Sequence, residues 1–536
     1  MGTRLELTWP HKDEFLLTPR DANGKPEWVS RDHPAAHEVR LADFTGQFGD
    51  VNAYDPHADN LLFTGDSLDA MRVLARVPEF ARAYRGKVKV AYWDVPFNTG
   101  QTFTSYDDWL DHSTWLSFMR DRLLLVKELL AAEGTLWMHL DDAEQHRMRL
   151  LMDEVFGAEN FIATVVWEKA DSPRNSARHL SVDQDYVHVY ARNADTWRPF
   201  RLPRSEEVNA NYKNPDNDPR GPWVAGDLRA NKPYSLGLYE VVGPTGRVFT
   251  PPPGKFWRVS KEKFDELAAD GRIWWGPKGE ALPTMKRYLT DVGDLVPRTL
   301  WRREDVGSNR TSSNEMKALF RGLEGFSTPK PERLVERVLQ VATEPGDIVL
   351  DAFAGSGTTA AVAHKMGRRW VTCELSASTV ESFTRPRLEK VASGEDRGGV
   401  SRSIGWEGGG GFRTVSIAPT AYTETPFGAM LDDWATEGDS FARLMAGQLG
   451  FVYAADGPFA GRRGRMRLAC FVGPVGIEEA GIALSALDAS ERVTIVATVL
   501  LDGVEEFVRE NSRGSRVMKA PRDVLRPRRI RRGAES

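Results

Sequence analysis

The chain has 536 residues, 41% hydrophobic and 27% charged, with a formal net charge of −5. That length accommodates two or three domains with sizeable cores, and the composition is that of an ordinary soluble protein. Two cysteines, Cys373 and Cys470, are too few for a disulfide framework, the mild acidity gives no global attraction to nucleic acid, and no apolar run spans a bilayer.

The segment Thr3 to Lys12 lacks the apolar core of a signal peptide, so a reducing cytoplasm is the expected location. The first 55 residues are polar and proline-rich and read as an arm with little core of its own. Leu61 to Asp66 predicts a short strand and turn, and Ser67 to about Val77 a helix. Val88 to Trp93 predicts a buried strand that delivers Asp94-Val95-Pro96-Phe97-Asn98-Thr99-Gly100 at its carboxyl end, where open α/β sheets place ligands. An acid, a proline-stiffened turn and an aromatic ring suit a flat, amino-bearing ring, which would stack on Phe97 and donate to Asp94. A plain strand end with a Pro-Asn turn accounts for these residues equally well.

From His112 a helical pattern places Trp115, Leu116, Met119, Leu123, Val126 and Leu130 on one face. Thr135 to Leu140 predicts a strand and Asp142 to Phe156 a helix, with Asp142 as N-cap. That turn explains His139, Asp141, Asp142 and His146 better than a metal site does. Ile162 to Trp167 and Tyr186 to Tyr190 complete this run of strands. Between Asn193 and Asn314 prolines, tryptophans and basic residues crowd together, and only Lys261 to Ala269 keeps a helical pattern. Here Arg258, Lys261, Lys263, Arg272, Lys278, Lys286 and Arg287 are candidate DNA-binding side chains, interleaved with aromatic rings suited to stacking. Taken singly, each reads more simply as part of a solvated surface.

The α/β pattern resumes with a helix from Glu332 to Ala342 and a strand from Ile348 to Leu350. Asp351-Ala352-Phe353-Ala354-Gly355-Ser356-Gly357-Thr358 then reads as a glycine turn and helix onset, which lets the main chain approach a ligand closely. A second strand, Trp370 to Cys373, ends in Glu374, 23 positions after Asp351. An acid at about that spacing, ~20 residues, takes ribose hydroxyls in nucleoside-binding βαβ units. One short Gly-x-Gly fits a nicotinamide dinucleotide poorly, so a smaller nucleoside cofactor is favoured. Cys373 reads as core. Gly408 to Gly411 marks a linker or tight crossing, and the tail carries Arg526, Arg528, Arg529, Arg531 and Arg532, suited either to a DNA backbone or a partner or to solubility.

Together, Asp94 to Phe97 and Phe353 to Gly357 resemble the catalytic and S-adenosylmethionine motifs of amino-group DNA methyltransferases, in the permuted order of the β class. The resemblance extends to the Mod subunits of type III restriction-modification systems. It is carried by Leu61 to Asp66, Asn98-Thr99-Gly100, His112 to Met119, His139 to Glu144, Met152 to Gly157, Pro329-Lys330-Pro331-Glu332 and Gly409 to Arg413, covering roughly residues 55 to 415. It implies an α/β fold: a Rossmann-like S-adenosylmethionine-dependent methyltransferase core, circularly permuted with a mixed sheet, plus an inserted target-recognition domain and a small C-terminal domain. The corresponding boundaries are an N-terminal arm over 1–55, a catalytic half over 56–192, target recognition over 193–314, a cofactor half over 315–400, and a C-terminal domain with basic tail over 401–536.

The resemblance also implies roles. Asp94, Val95, Pro96 and Phe97 form the catalytic turn, with Phe97 stacking on a base flipped from duplex DNA. Asp66, Asn98, Thr99, Lys330, Asp351, Phe353, Ala354, Gly355, Gly357, Thr358 and Glu374 line the cofactor pocket. No metal is needed. Asp at the motif's head favours adenine N6 over cytosine N4. Valine stands at position 95 where the family carries proline, which leaves a catalytically weak DNA-recognition subunit as the alternative. The implied partners are double-stranded DNA, a nuclease-helicase restriction subunit and a second copy of the chain.

Overall fold

The computed structural model describes residues 6–17, 26–98, 102–103, 106–107, 111–321, 326, 328–426 and 428–525. Thr99, Gly100 and the arginine tail lie outside the described residues. Contacts divide the chain into two units, Pro199–Pro297 and the remainder.

The larger unit is built on a ten-stranded mixed sheet. Numbering only its strands, these are β1 (Ala42–Gly49), β2 (Asn60–Thr64), β3 (Val88–Asp94), β4 (Leu130–Leu140), β5 (Phe161–Glu168), β6 (Gln184–Ala191), β7 (Leu300–Trp301), β8 (Ile348–Asp351), β9 (Arg369–Glu374) and β10 (Gly411–Ile417). Their order is β7-β5-β6-β4-β3-β8-β9-β2-β10-β1. The run from β4 to β10 is parallel, whereas β6 and β1 flank it antiparallel. Parallel strands covered on both faces need near-continuous apolar sequence. Leu61-Leu62-Phe63 of β2 and Val90-Ala91-Tyr92-Trp93 of β3 supply it, all buried. Helix α1 (Ser67–Arg76) begins where the Asp66 carboxylate accepts from Leu68 N at 2.7 Å, and helix α2 (His112–Leu129) begins on the corresponding bonds to Asp111.

Four expectations need correction. The N-terminal arm is not coreless: Trp9 and Phe15 join the main core, and β1 covers the otherwise open edge of β10. The insertion is narrower than 193–314, because Trp301 is buried against Trp137 and β7 pairs with β5, returning the chain to the sheet. Helix Asn309–Leu319 therefore belongs to the larger unit. Residue 401 is not a clean C-terminal boundary, since β10 is a sheet strand; beyond it, a five-stranded sheet packs around Leu444, Phe451, Leu468 and Val496. Asp142 caps no helix. The turn is made by Asp141, whose carboxylate accepts from Ala143 N at 2.8 Å, and helix α3 (Gln145–Phe156) starts after Glu144.

The smaller unit has a three-stranded antiparallel sheet, Trp223–Asp227, Thr284–Tyr288 and Ile273–Trp274. Helix Lys261–Ala269 inserts Phe264 into a minicore with Trp257, Leu228 and Phe249.

Candidate functional site

Asp94 ends β3, in register with His139 of β4. The next residue, Val95, is 3% exposed and packs into the core. Pro96 is held through its carbonyl, which accepts from Trp115 Nε1 at 2.9 Å, so helix α2 fixes the turn. Asn98 adopts a left-handed φ of 59°, a conformation asparagine tolerates better than most side chains. Its Nδ2 donates to Glu144 Oε1 at 2.8 Å.

Lys330, only 7% exposed, donates to Asp94 Oδ2 at 2.7 Å, and its ammonium lies 4.9 Å from the centre of the Phe97 ring. It therefore sits on the acid of the Asp94 turn, although the sequence grouped it with the cofactor residues. The Phe97 ring stacks on His139 at 5.8 Å and 20°. His139 is fully buried, and burial followed by the nearby Lys330 charge lowers its pKa, so the ring is neutral. Its tautomer follows from its partners. Asp185 is ionised, held down at about 2 against its own burial by its hydrogen bond to His139, with Lys169 Nζ also donating to it at 2.6 Å. An ionised carboxylate only accepts, so His139 Nε2–H donates to it at 3.2 Å, and Nδ1 accepts from the Tyr92 hydroxyl at 2.8 Å. Phe97 thus rests on a ring whose orientation is fixed from both ends.

One strand away, β8 pairs with β3 through Leu350 and Ala91, which brings the glycine turn beside the Asp94 turn. Phe353 packs edge-on to Trp93 at 5.7 Å. Asp351 Oδ1 accepts from Phe353 N at 3.0 Å; burial pushes this acid up to about 7. Ala354 N donates to the Cys373 carbonyl, joining the loop to β9. Gly355 N donates to Glu374 Oε2 and Ser376 N to Oε1, each at 2.9 Å, and burial raises this acid too. Gly355 and Gly357 have φ of 49° and 79°, and Thr358 opens the following helix. The left-handed pair curls the main chain around the end of β8.

Asp66 stands differently from the expectation. Besides capping α1, it accepts from Arg122 Nη2 at 2.8 and 2.7 Å, so its carboxylate is committed to the protein's own guanidinium. Sequence reasoning gave no role to Glu144, Asp185, Lys169 or Arg122, because their contacts with Asn98, His139, Asp185 and Asp66 span 46, 46, 16 and 56 positions. Glu144 had entered only as the end of the His139 to Glu144 motif. Cys373 is buried as expected, with its thiol pushed well above the ordinary range by burial.

In the smaller unit, Lys286 must be withdrawn as a surface contact. It is buried beside Trp223 and Trp274 and paired with Asp216 and, at 2.8 Å, with Asp218, because a buried lysine requires counter-charges. Arg272 pairs with Asp270 and Asp291, Lys261 with Asp265, and Lys263 with Glu266, while Arg258 donates to the Arg229 carbonyl. Lys278 and Arg287 are exposed.

The sequence model of the N6_N4_Mtase family, described as DNA methylase, matches residues 88–385, from the first residue of β3 to beyond the glycine turn. The chain belongs to this DNA methylase family. Three relatives are similar. The Mod subunit of the type III restriction-modification enzyme StyLTI of Salmonella typhimurium is 27% identical over 391 residues, covering 64% of this chain and 58% of the relative. The probable type III HindVI Mod subunit of Haemophilus influenzae is 28% identical over 425 residues, covering 68% and 54%. The type II methyltransferase M.EcaI of Enterobacter cloacae is 30% identical over 299 residues, covering 54% and 62%. This DNA methylase thus spans less than two thirds of each of those relatives. Among its described residues, no helix is long and apolar enough to cross a membrane.

Proposed function

We propose that this DNA methylase transfers a methyl group from S-adenosylmethionine to adenine N6 in double-stranded DNA, as the modification subunit of a restriction-modification system. One observation carries the reading: the Asp94 turn and the Phe353–Gly357 turn lie at the ends of neighbouring parallel strands, with Trp93 and Phe353 in contact. An amine-gripping acid and a nucleoside-type cradle are thereby within one site.

The residues fit the cofactor. Two left-handed glycines shape a close main-chain approach, and Glu374, fixed by two backbone N–H groups, keeps lone pairs for ribose hydroxyls. When bound, S-adenosylmethionine supplies a methyl group already activated on a sulfonium. The protein's task is alignment and proton handling. Phe97, backed by His139, offers a face to the flipped base. Asp94 accepts an amine hydrogen bond and then the departing proton on the oxygen that Lys330 does not hold, while the Lys330 ammonium stays on Oδ2. Pro96 O is committed to Trp115, so the Val95 carbonyl is the main-chain acceptor assigned to the amine. The exposed Lys278 and Arg287 and the paired Arg258, Lys261, Lys263 and Arg272 are the phosphate contacts assigned to the smaller unit. A restriction subunit and a second copy of the chain are the protein partners, the first supported by the Mod subunits among the relatives.

Incubation with tritiated S-adenosylmethionine and DNA from an unmethylating bacterial host puts label into N6-methyladenine. Label confined to N4-methylcytosine, or none, contradicts the reading. A second test addresses the cradle. At φ 79° an alanine at position 357 is strained, and its Cβ would meet Thr384 Cγ2 at 3.1 Å. A left-handed non-glycine residue costs about 1–2 kcal/mol. Gly357→Ala is therefore expected to weaken S-adenosylhomocysteine binding roughly tenfold in calorimetry.

A further inference from the structure

Glu144 lies between the two ends of the segment that follows the catalytic turn. It is fully buried, and its hydrogen bonds go to neither Asp94 nor the glycine turn. It occupies the N-cap of α3, where an acid ordinarily accepts from the first helical N–H groups, and it makes no such bond. Its oxygens go elsewhere. Oε1 accepts from Asn98 Nδ2 at 2.8 Å and from His112 Nδ1–H at 2.5 Å, and Oε2 from Arg147 Nη1 at 3.3 Å. Asn98 directly follows Phe97, and His112 is the first residue of α2, the helix whose Trp115 holds Pro96 O. One buried carboxylate thus ties the exit of the catalytic turn to the helix that already grips its middle.

We infer that Glu144 is a positioning residue for methyl transfer, holding Asn98 in its left-handed conformation so that Asp94 and Phe97 face the amine together. The inference rests on the proposed activity and deepens it. The bond to Glu144 is one of the contacts that fix Asn98 at φ 59°, and its loss is expected to loosen the turn. A displacement of ~1 Å at reacting groups costs on the order of 10²-fold in rate.

The test uses the full chain, with Glu144→Ala, Glu144→Gln, Asn98→Ala and the double variant Glu144→Ala/Asn98→Ala. Label transfer from tritiated S-adenosylmethionine to unmethylated bacterial DNA should show kcat about 10²-fold lower for Glu144→Ala, with KM for the cofactor nearly unchanged. Glu144→Gln keeps an acceptor for Asn98 and should recover most of that loss. The double variant should be no worse than the poorer single one, because both remove the same bond. Amide hydrogen exchange supplies a readout independent of activity: Glu144→Ala should speed exchange at residues 94–98 while 88–93 stay protected. Multiplying losses, no rescue by glutamine, or exchange rising equally across the whole sheet would overturn the inference. If wild-type protein transfers no label, the proposed activity fails, and the exchange pattern still decides the positioning role.

Discussion

Asp94→Asn should lower methyl transfer by about 10²–10⁴-fold, the range that a positioned proton acceptor contributes. The substitution keeps the shape of the side chain and an acceptor oxygen for the amine. It removes the charge that draws the proton away, and it strips the counter-ion from Lys330, which is nearly buried at 2.7 Å from Oδ2. An uncompensated ammonium there is unfavourable, so some loss of stability accompanies the loss of rate. The two effects separate in the double variant Asp94→Asn/Lys330→Met, which should recover melting temperature without recovering transfer. Cofactor binding should persist in both, because Gly355, Gly357 and Glu374 keep their own bonds. Rates within tenfold of wild type for Asp94→Asn would remove Asp94 from the chemistry.

Glu332→Gln should be the most damaging change outside the Asp94 turn. Glu332, Lys365 and Arg387 are all buried; Lys365 Nζ donates to both Glu332 oxygens at 2.8 Å and Arg387 Nη2 to one of them at 2.8 Å. Asp396 faces Lys365 at 2.7 Å, so two anions balance two cations. Removing one anion leaves a buried cation without its partner, which costs about 3–5 kcal/mol. The damage should reach function as well. Arg387 Nη1 donates to Thr358 Oγ1 at 2.8 Å and Ser356 Oγ at 3.3 Å, on either side of Gly357, while Glu332 stands two residues from Lys330. Chemical denaturation should show a lower midpoint at an unchanged slope, with weaker S-adenosylhomocysteine binding. A shift below ~1 kcal/mol would mean that water reaches these charges.

The local parts of the site were legible because they are written in contiguous residues. The apolar run of β3 delivers Asp94, the glycines after β8 require a left-handed turn, and helices Glu332–Ala342 and Lys261–Ala269 begin and end where their patterns do. Contacts made by distant segments were not legible. Lys330 meets Asp94 across 236 positions, so the motif that contains it could say only that it lies near the pocket. Lys286 looked like one of several surface cations, since sequence does not show that Asp216 and Asp218 surround it. The arm looked coreless because β1 (Ala42–Gly49) is intermediate or exposed throughout and gains its place by pairing with β10. Asp142 was the obvious cap by residue type, yet Asp141 makes the turn, leaving the buried Glu144 to hold Asn98.

The most direct test of the central claim is single-molecule sequencing of DNA from a methylation-deficient bacterial host expressing this chain, with the Asp94→Asn variant expressed in parallel. N6-methyladenine at one recurring sequence in the first sample and none in the second is the predicted result. Unmodified DNA from cells containing folded wild-type protein, or the same methylation with Asp94→Asn, would contradict it.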